Sequence, residues 1–140
     1  PEPLASDFNA DYLYRALSTR NSAIKIAIMN GKIVVGVGNI YANEALFLSG
    51  IHPETISKNV PIEKLELLVA NIKLILQKSI ECGGTTLKDY RQVDGNPGYF
   101  KQTLSVYGRA DEKCLVCSDQ LKGLKLGQRM TVYCPSCQII

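Results

Sequence analysis

Four of the five cysteines in this 140-residue chain stand in two C-x-x-C pairs, C114-L-V-C117 and C134-P-S-C137, separated by residues 118–133. Each pair can present two sulfurs to one tetrahedral ion, and this spacing is that of a structural zinc site. With Cys114, Cys117, Cys134 and Cys137 all acting as ligands, no water position remains, so the ion would hold structure and not do chemistry. A redox dithiol pair and unliganded thiols are the alternatives. A tail this short cannot build much core on its own, which favours the metal. Between the pairs, LKLGQRMTVY reads as a β-hairpin turning near Gly127-Gln128. Arg129 would then sit near the tip, where a guanidinium meets either a phosphate or plain solvent. Tight pairing with an odd total fits a reducing compartment better than a disulfide framework. The fifth cysteine, Cys82, reads as a small buried residue with no sign of reactivity.

A second candidate is GVGNIYANEA, residues 36–45, which follows the apolar run Ile33-Val34-Val35. Strand-like residues, close glycines and a helix-like stretch are a common way to hold a phosphate. A dinucleotide site needs G-x-G-x-x-G, and here the third position is Tyr41. No second strand–helix unit follows either, so that reading is weak. What survives is a tight glycine turn with Asn39 at a helix start, where free N–H groups and the helix dipole favour an anion. A phosphate of duplex nucleic acid suits such a site, because little else need be recognised there.

These residues need elements to position them. Asp7 or Asn9 is placed to cap a short helix through Leu17. Ser22 is placed to cap another over Ala23–Met29, stopped by Asn30-Gly31. Arg15, Arg20 and Lys25 form a local basic stretch with no acid after Asp11. Lys32–Val35 reads as a strand by propensity, though without an obvious partner. Asn39–Ser49 fits a helix ending at Gly50, and Ile51-His52-Pro53 forces a turn; His52, the only histidine, reads as structural. Pro61–Glu81 is the strongest helix, with Ile62, Leu65, Leu68, Val69, Ile72, Ile75, Leu76 and Ile80 on one stripe and Gly83-Gly84 beyond it. The stretch 83–102 is long for a connector, and long loops tend to carry function or disorder. Leu104–Tyr107 reads as a strand leading into the cysteine module.

The totals narrow the classes. Hydrophobic residues make up 46%, enough for a packed core. No apolar run of about 18 residues exists, so no membrane span is expected. PEPLASDFNADY lacks the basic and apolar regions of a secretory signal. The chain does not open with Met, which reads as a processed or truncated product. The formal charge is +3, and four thiolates on one zinc ion would bring it to +1. Only local clustering can therefore point to a polyanion.

Taken in order, GVGNIYANEALFLSGIHP, GGTTLKDY, DGNPGYF, VYGR and the cysteine tail with GQRMTVYCPSCQ resemble the C-terminal half of the bacterial formamidopyrimidine-DNA glycosylase family. The resemblance covers essentially the whole chain. It implies a mainly α fold with a small zinc-bound β-hairpin: a helix-two-turns-helix DNA-binding domain over 1–105, with 1–8 as interdomain linker, and a zinc-finger module over 106–140. It implies base excision of oxidised purines, 8-oxoguanine and formamidopyrimidines, with AP-lyase strand cleavage. Gly38 and Asn39 match the family's phosphate-binding turn, Arg20 and Lys25 its basic DNA-binding residues, and Arg129 its zinc-finger arginine, linked to phosphate contact and δ-elimination. Thr85, Thr86, Leu87, Lys88, Asp89 and Tyr90 match the loop that covers an extruded lesion, since an enzyme acting on a base must take it from the stack.

Family members begin with Pro-Glu, and so does this chain. PEPLASDFNADY, however, resembles the family's interdomain segment, so Pro1-Glu2 is read as coincidence. The expectation is a fragment that binds damaged double-stranded DNA but lacks the catalytic N-terminal domain and does not excise. It is expected to be a monomer in the bacterial cytoplasm, associated with the nucleoid, with one Zn2+ and no nucleotide cofactor. The alternatives are the related oxidised-pyrimidine branch and a non-catalytic zinc-ribbon module that binds nucleic acid.

Overall fold

A computed structural model describes residues 2–81 and 104–139. Cys82 and the whole 83–102 stretch, including the Thr85–Tyr90 match, lie outside the described residues.

Among the described residues, four α-helices and a 3-10 turn at Ser57–Asn59 precede a two-stranded hairpin: α1 Ala10–Leu17, α2 Ile24–Ile28, α3 Asn39–Ser49, α4 Ile62–Glu81, β1 Lys122–Leu126 and β2 Arg129–Tyr133. The fold is mainly α with a small antiparallel hairpin beside the four cysteines. Asn9 caps α1, its side chain accepting from the Tyr12 N–H, so of the two candidate caps it is Asn9 that works. The lead-in is already tied down: Phe8 is fully buried, and Lys73 Nζ donates to the Ala5 carbonyl at 3.0 Å.

Expectation and structure part at the start of α2. Its cap is Ala23, in extended geometry and with no side-chain bond. Ser22 instead offers its carbonyl to the N–H and hydroxyl of Ser57, at 2.9 and 2.7 Å. The segment before α2 is held by the loop after α3, through Ile24 N–H to Thr55 O at 2.7 Å and a bridge between Ala23 and Ile56. A neighbouring chain segment has replaced the local cap.

Lys32–Val35 is not a strand. The chain from Asn30 to Gly38 makes two consecutive turns, begun by Ile33 and Val34 N–H on the Asn30 carbonyl and by Lys32 N–H on Asn30 Oδ1. Ile33 and Val34 are buried because these turns push them into the helical core, and the Tyr12 hydroxyl fastens Ile33 O at 2.5 Å. The β-branched residues are spent on packing, and a four-residue run without a partner has no ladder to join. Leu104–Tyr107 is likewise not a strand; the N–H groups of Ser105, Val106 and Tyr107 go to a side chain, described below.

Two cores form. The larger runs from Phe8 to Ile75 and joins all four helices. The smaller holds Phe47, Val106, Cys114, Leu121, Val132 and Cys134, with Cys137 against it. Phe47 belongs to α3, so this helix is shared between the two. α3 ends on Gly50 at φ +68°, a left-handed stop. β1 and β2 pair from Lys122↔Tyr133 to Leu126↔Arg129, leaving a two-residue loop at Gly127 and Gln128 with φ of +60° and +64°. Positive φ at both positions gives the mirror-image turn that matches strand twist.

Candidate nucleic-acid interface and metal centre

The four sulfurs of Cys114, Cys117, Cys134 and Cys137 lie within 4.8 Å of one another. Cys114 and Cys137 Sγ are 3.9 Å apart, and Cys117 and Cys134 Sγ 3.4 Å. Tetrahedral zinc with bonds of about 2.3 Å needs sulfurs about 3.8 Å apart, so the donor set fits one zinc ion. Backbone N–H groups of Val116 and Cys137 point at Cys114 and Cys134 Sγ, each at 3.4 Å, the arrangement that stabilises thiolates. Burial pushes the Cys114 thiol up, but N–H groups of Cys117 and Val116 outweigh it and bring it down to about 7. Burial, then the neighbouring thiols, raise Cys137, and burial is also the main cause of the rise at Cys134. Four such groups ionise together only against a cation. The zinc they hold would fix the two knuckles and supply no reaction step.

The hairpin does not hang free. Gly127 at its tip faces Ile26 of α2, whose Cδ1 lies 3.4 Å from where a Cβ on Gly127 would be. Behind the tip, Lys25 is 1% exposed. Its Nζ donates to Asn39 Oδ1 at 2.6 Å, to Thr131 Oγ1 at 2.6 Å and to the Met130 carbonyl at 3.3 Å. Asn39 Nδ2 donates to the same Met130 carbonyl at 3.0 Å, and the Thr131 hydroxyl donates to Arg129 O at 3.2 Å. One ammonium thus ties α2, the first residue of α3 and β2 together across 106 residues of sequence. No carboxylate faces it among the described residues. Burial, helped by the nearby Arg129 charge, lowers its pKa to about 8. Arg129 itself is exposed. It shares with Lys25, Ile26, Met29, Asn30, Leu126 and Gly127 a hollow of about 300 Å³.

The expected residues therefore divide. Lys25, Asn39 and Arg129 are brought to one place. Lys25 sits behind it, with its N–H groups committed to protein. Gly38 is the residue before α3, extended at φ −80°, and nothing lies within 4 Å of where its Cβ would be. Neither backbone strain nor packing requires a glycine there, whereas Gly36, at φ +86°, turns the chain. Arg20 stands apart. Its carbonyl accepts from Lys58 N–H at 3.1 Å, and no hydrogen bond joins it to the Lys25–Asn39 cluster among the described residues. His52 is structural: it is buried, its Nδ1 accepts from Glu54 N–H at 3.0 Å, its ring packs on Tyr133 of β2 at 4.4 Å, and burial lowers its pKa.

Three residues that sequence reasoning passed over fasten the hairpin module to the helices. Glu44 is buried and takes the N–H groups of Ser105, Val106 and Tyr107 on its carboxylate, at 2.6, 2.9 and 2.9 Å. Asn43, 1% exposed, accepts from Val132 N–H at 2.8 Å. Gln138 accepts from Cys134 N–H at 2.8 Å and donates to Ile51 O at 2.9 Å. A signal for the first two was present in NIYANEALFLS. A helix with one charge and no polar face must be covered on both sides, so its polar side chains need protein partners.

The family model described as "Formamidopyrimidine-DNA glycosylase H2TH domain" matches residues 1–91. The model described as "Zinc finger found in FPG and IleRS" matches 111–139. A protein of Shewanella loihica named formamidopyrimidine-DNA glycosylase is 56% identical over 99% of this chain and 51% of its own length. One of the same name from Idiomarina loihiensis is 54% identical over the same shares. The chain thus spans about half the length of the curated relatives it matches. Among solved structures, the Lactococcus lactis Fpg bound to DNA containing an abasic site matches with a TM-score of 0.88 at 35% identity, over 100% of this chain and 51% of that one. The same protein with FAPY-dG DNA gives 0.87 at 34%, over 100% and 51%, and with DNA containing an oxidised pyrimidine 0.87 at 34%, over 100% and 50%. Among the described residues, no helix is long and apolar enough to cross a membrane.

Proposed function

This chain belongs to the formamidopyrimidine-DNA glycosylase family, and from that premise we propose that it is the DNA-gripping half of a base-excision enzyme for oxidised purines. The parent activity is base removal followed by AP-lyase strand cleavage. These 140 residues bind damaged duplex without excising the base and complete an active site with the relatives' other half. The supporting observation is that Lys25 bonds Asn39, both bond β2 at Met130 and Thr131, and Arg129 lines the same hollow as Lys25.

The proposed roles are these. The positive end of the α3 dipole and Gly38, where a Cβ would meet nothing within 4 Å among the described residues, favour a phosphate close to the backbone. Asn39 and Arg129 are the backbone contacts, with Arg129 also at the phosphate released in δ-elimination. Lys25 adds its charge to the field at the turn while its N–H groups hold Asn39 and β2 in place. Arg20 contributes only through distant phosphates. Thr85–Tyr90 cover the lesion, residues 1–8 join the preceding half, and the boundary between helical domain and zinc-finger module falls at 105/106. The protein works as a monomer in the bacterial cytoplasm on nucleoid DNA and needs no nucleotide cofactor. Lactococcus lactis Fpg has been captured on an oxidised pyrimidine as well as FAPY-dG, so a lesion panel should include both.

Salt dependence tests the reading. Arg129→Ala should weaken binding to every duplex sequence alike and reduce the slope of log affinity against log salt by about one unit. A slope identical to the parent's would remove Arg129 from the phosphate contacts.

A further inference from the structure

We propose that Asn43 is the positioning residue that sets Arg129 beside the phosphate turn, by pairing its side-chain amide with the free edge of β2. The inference rests on the DNA-gripping reading above and adds a residue to it. β2 has one partner strand, β1. The backbone groups of residues 129, 131 and 133 point to the β1 edge of the strand, and those of Met130 and Val132 to the opposite edge. Met130 O and Val132 N–H therefore share an edge, and α3 lies against it.

Asn43 supplies what a third strand would. Its Oδ1 accepts from Val132 N–H at 2.8 Å, and its Nδ2 reaches the Met130 carbonyl at 3.4 Å. The same Nδ2 donates to the Asn39 carbonyl at 2.8 Å, one turn back on α3. Asn43 thus bonds both to the residue that starts α3 and to Met130 and Val132, the first and third residues after Arg129. It is 1% exposed. Lys25 holds the same strand through Met130 O and Thr131 Oγ1, but only Asn43 occupies the Val132 N–H. Without it the strand edge has an unpaired buried donor, and the hairpin can pivot about the Lys25 contact. Arg129, next to the turn, moves most.

A double-mutant cycle on the zinc-loaded chain tests this, using parent, Asn43→Ala, Arg129→Ala and the double variant, with zinc content and affinity for an abasic-site duplex measured for each. Asn43→Ala should keep its zinc, bind about tenfold more weakly and lose salt slope as Arg129→Ala does. In the Arg129→Ala background, the same change should cost almost nothing further. A purely structural role predicts the same factor in both backgrounds and an unchanged slope, and that result overturns the inference while leaving the DNA-gripping reading intact. If Arg129→Ala itself binds like the parent, both fall. Should Asn43→Ala not fold, Asn43→Ser enters the cycle in its place. Its hydroxyl keeps the bond to the Asn39 carbonyl and releases only the strand edge, and the same two outcomes decide.

Discussion

Removing the metal, by chelation or by Cys134→Ser, should unfold the hairpin module and abolish the proposed tight DNA binding while the helices stay folded. The reason is the size of the two cores. The module's own core is six buried residues, two of them cysteines and one, Phe47, borrowed from α3. A lone two-stranded hairpin is marginal at best in water. A structural zinc site contributes about 10–16 kcal/mol to folding, far more than the remaining burial supplies. Among the described residues the larger core draws on residues from Phe8 to Leu76, so α1 to α4 should retain their packing. They lose something all the same: Lys25 forfeits Thr131 and Met130, and Asn43 forfeits Val132. Metal analysis, far-ultraviolet circular dichroism and duplex titration on one sample check this together. Helical signal should persist as zinc and affinity disappear. A chelated chain that still binds duplex at parental affinity would separate the finger from the grip.

Glu44→Ala should be the most damaging single substitution away from the metal, costing about 3–5 kcal/mol of stability. Its carboxylate is the common acceptor for three successive N–H groups, of Ser105, Val106 and Tyr107. Alanine leaves all three without that partner, that of Val106 buried and those of Ser105 and Tyr107 half-buried, where each lost bond to a charged group costs about 1.5–3 kcal/mol before relaxation. Glu44→Gln is the sharper control. It keeps one oxygen but turns an amide N–H toward the same donors, so it should recover only part of the loss. Urea unfolding at saturating zinc measures both. A loss under about 1 kcal/mol for Glu44→Ala would mean that water or a backbone shift satisfies those groups and that the entrance to the finger is not fixed there.

How much of this the sequence carried depended on whether its signals were local. The C-x-x-C spacing, the Gly50 stop and the stripe along α4 are local, and each is where expected. The hairpin turn was legible because Gly127-Gln128 sits between alternating strands. Failures came where tertiary contacts override local preference. Ile33 and Val34 looked like a strand and became core residues inside two turns. Ser22 looked like a cap and became an acceptor for Ser57. Leu104–Tyr107 looked like a strand and instead points its N–H groups at Glu44. At the candidate site, motif spacing picked out Asn39 and Arg129 separately, but nothing in the sequence brings them within reach. That link runs through Lys25, Asn43 and Thr131, buried polar residues whose partners across the α3–β2 and α2–β2 contacts lie about ninety or more positions away.

The central claim is that the start of α3 and the hairpin tip hold one face of one duplex. Phosphate-ethylation interference on an abasic-site duplex measures it directly, with the zinc-loaded parent, Asn39→Ala and Arg129→Ala. The parent should be blocked by ethylation at a compact group of phosphates beside the lesion, with each variant losing sensitivity at a neighbouring part of that group. Sensitive phosphates mapping to opposite faces of the duplex for the two variants would contradict it.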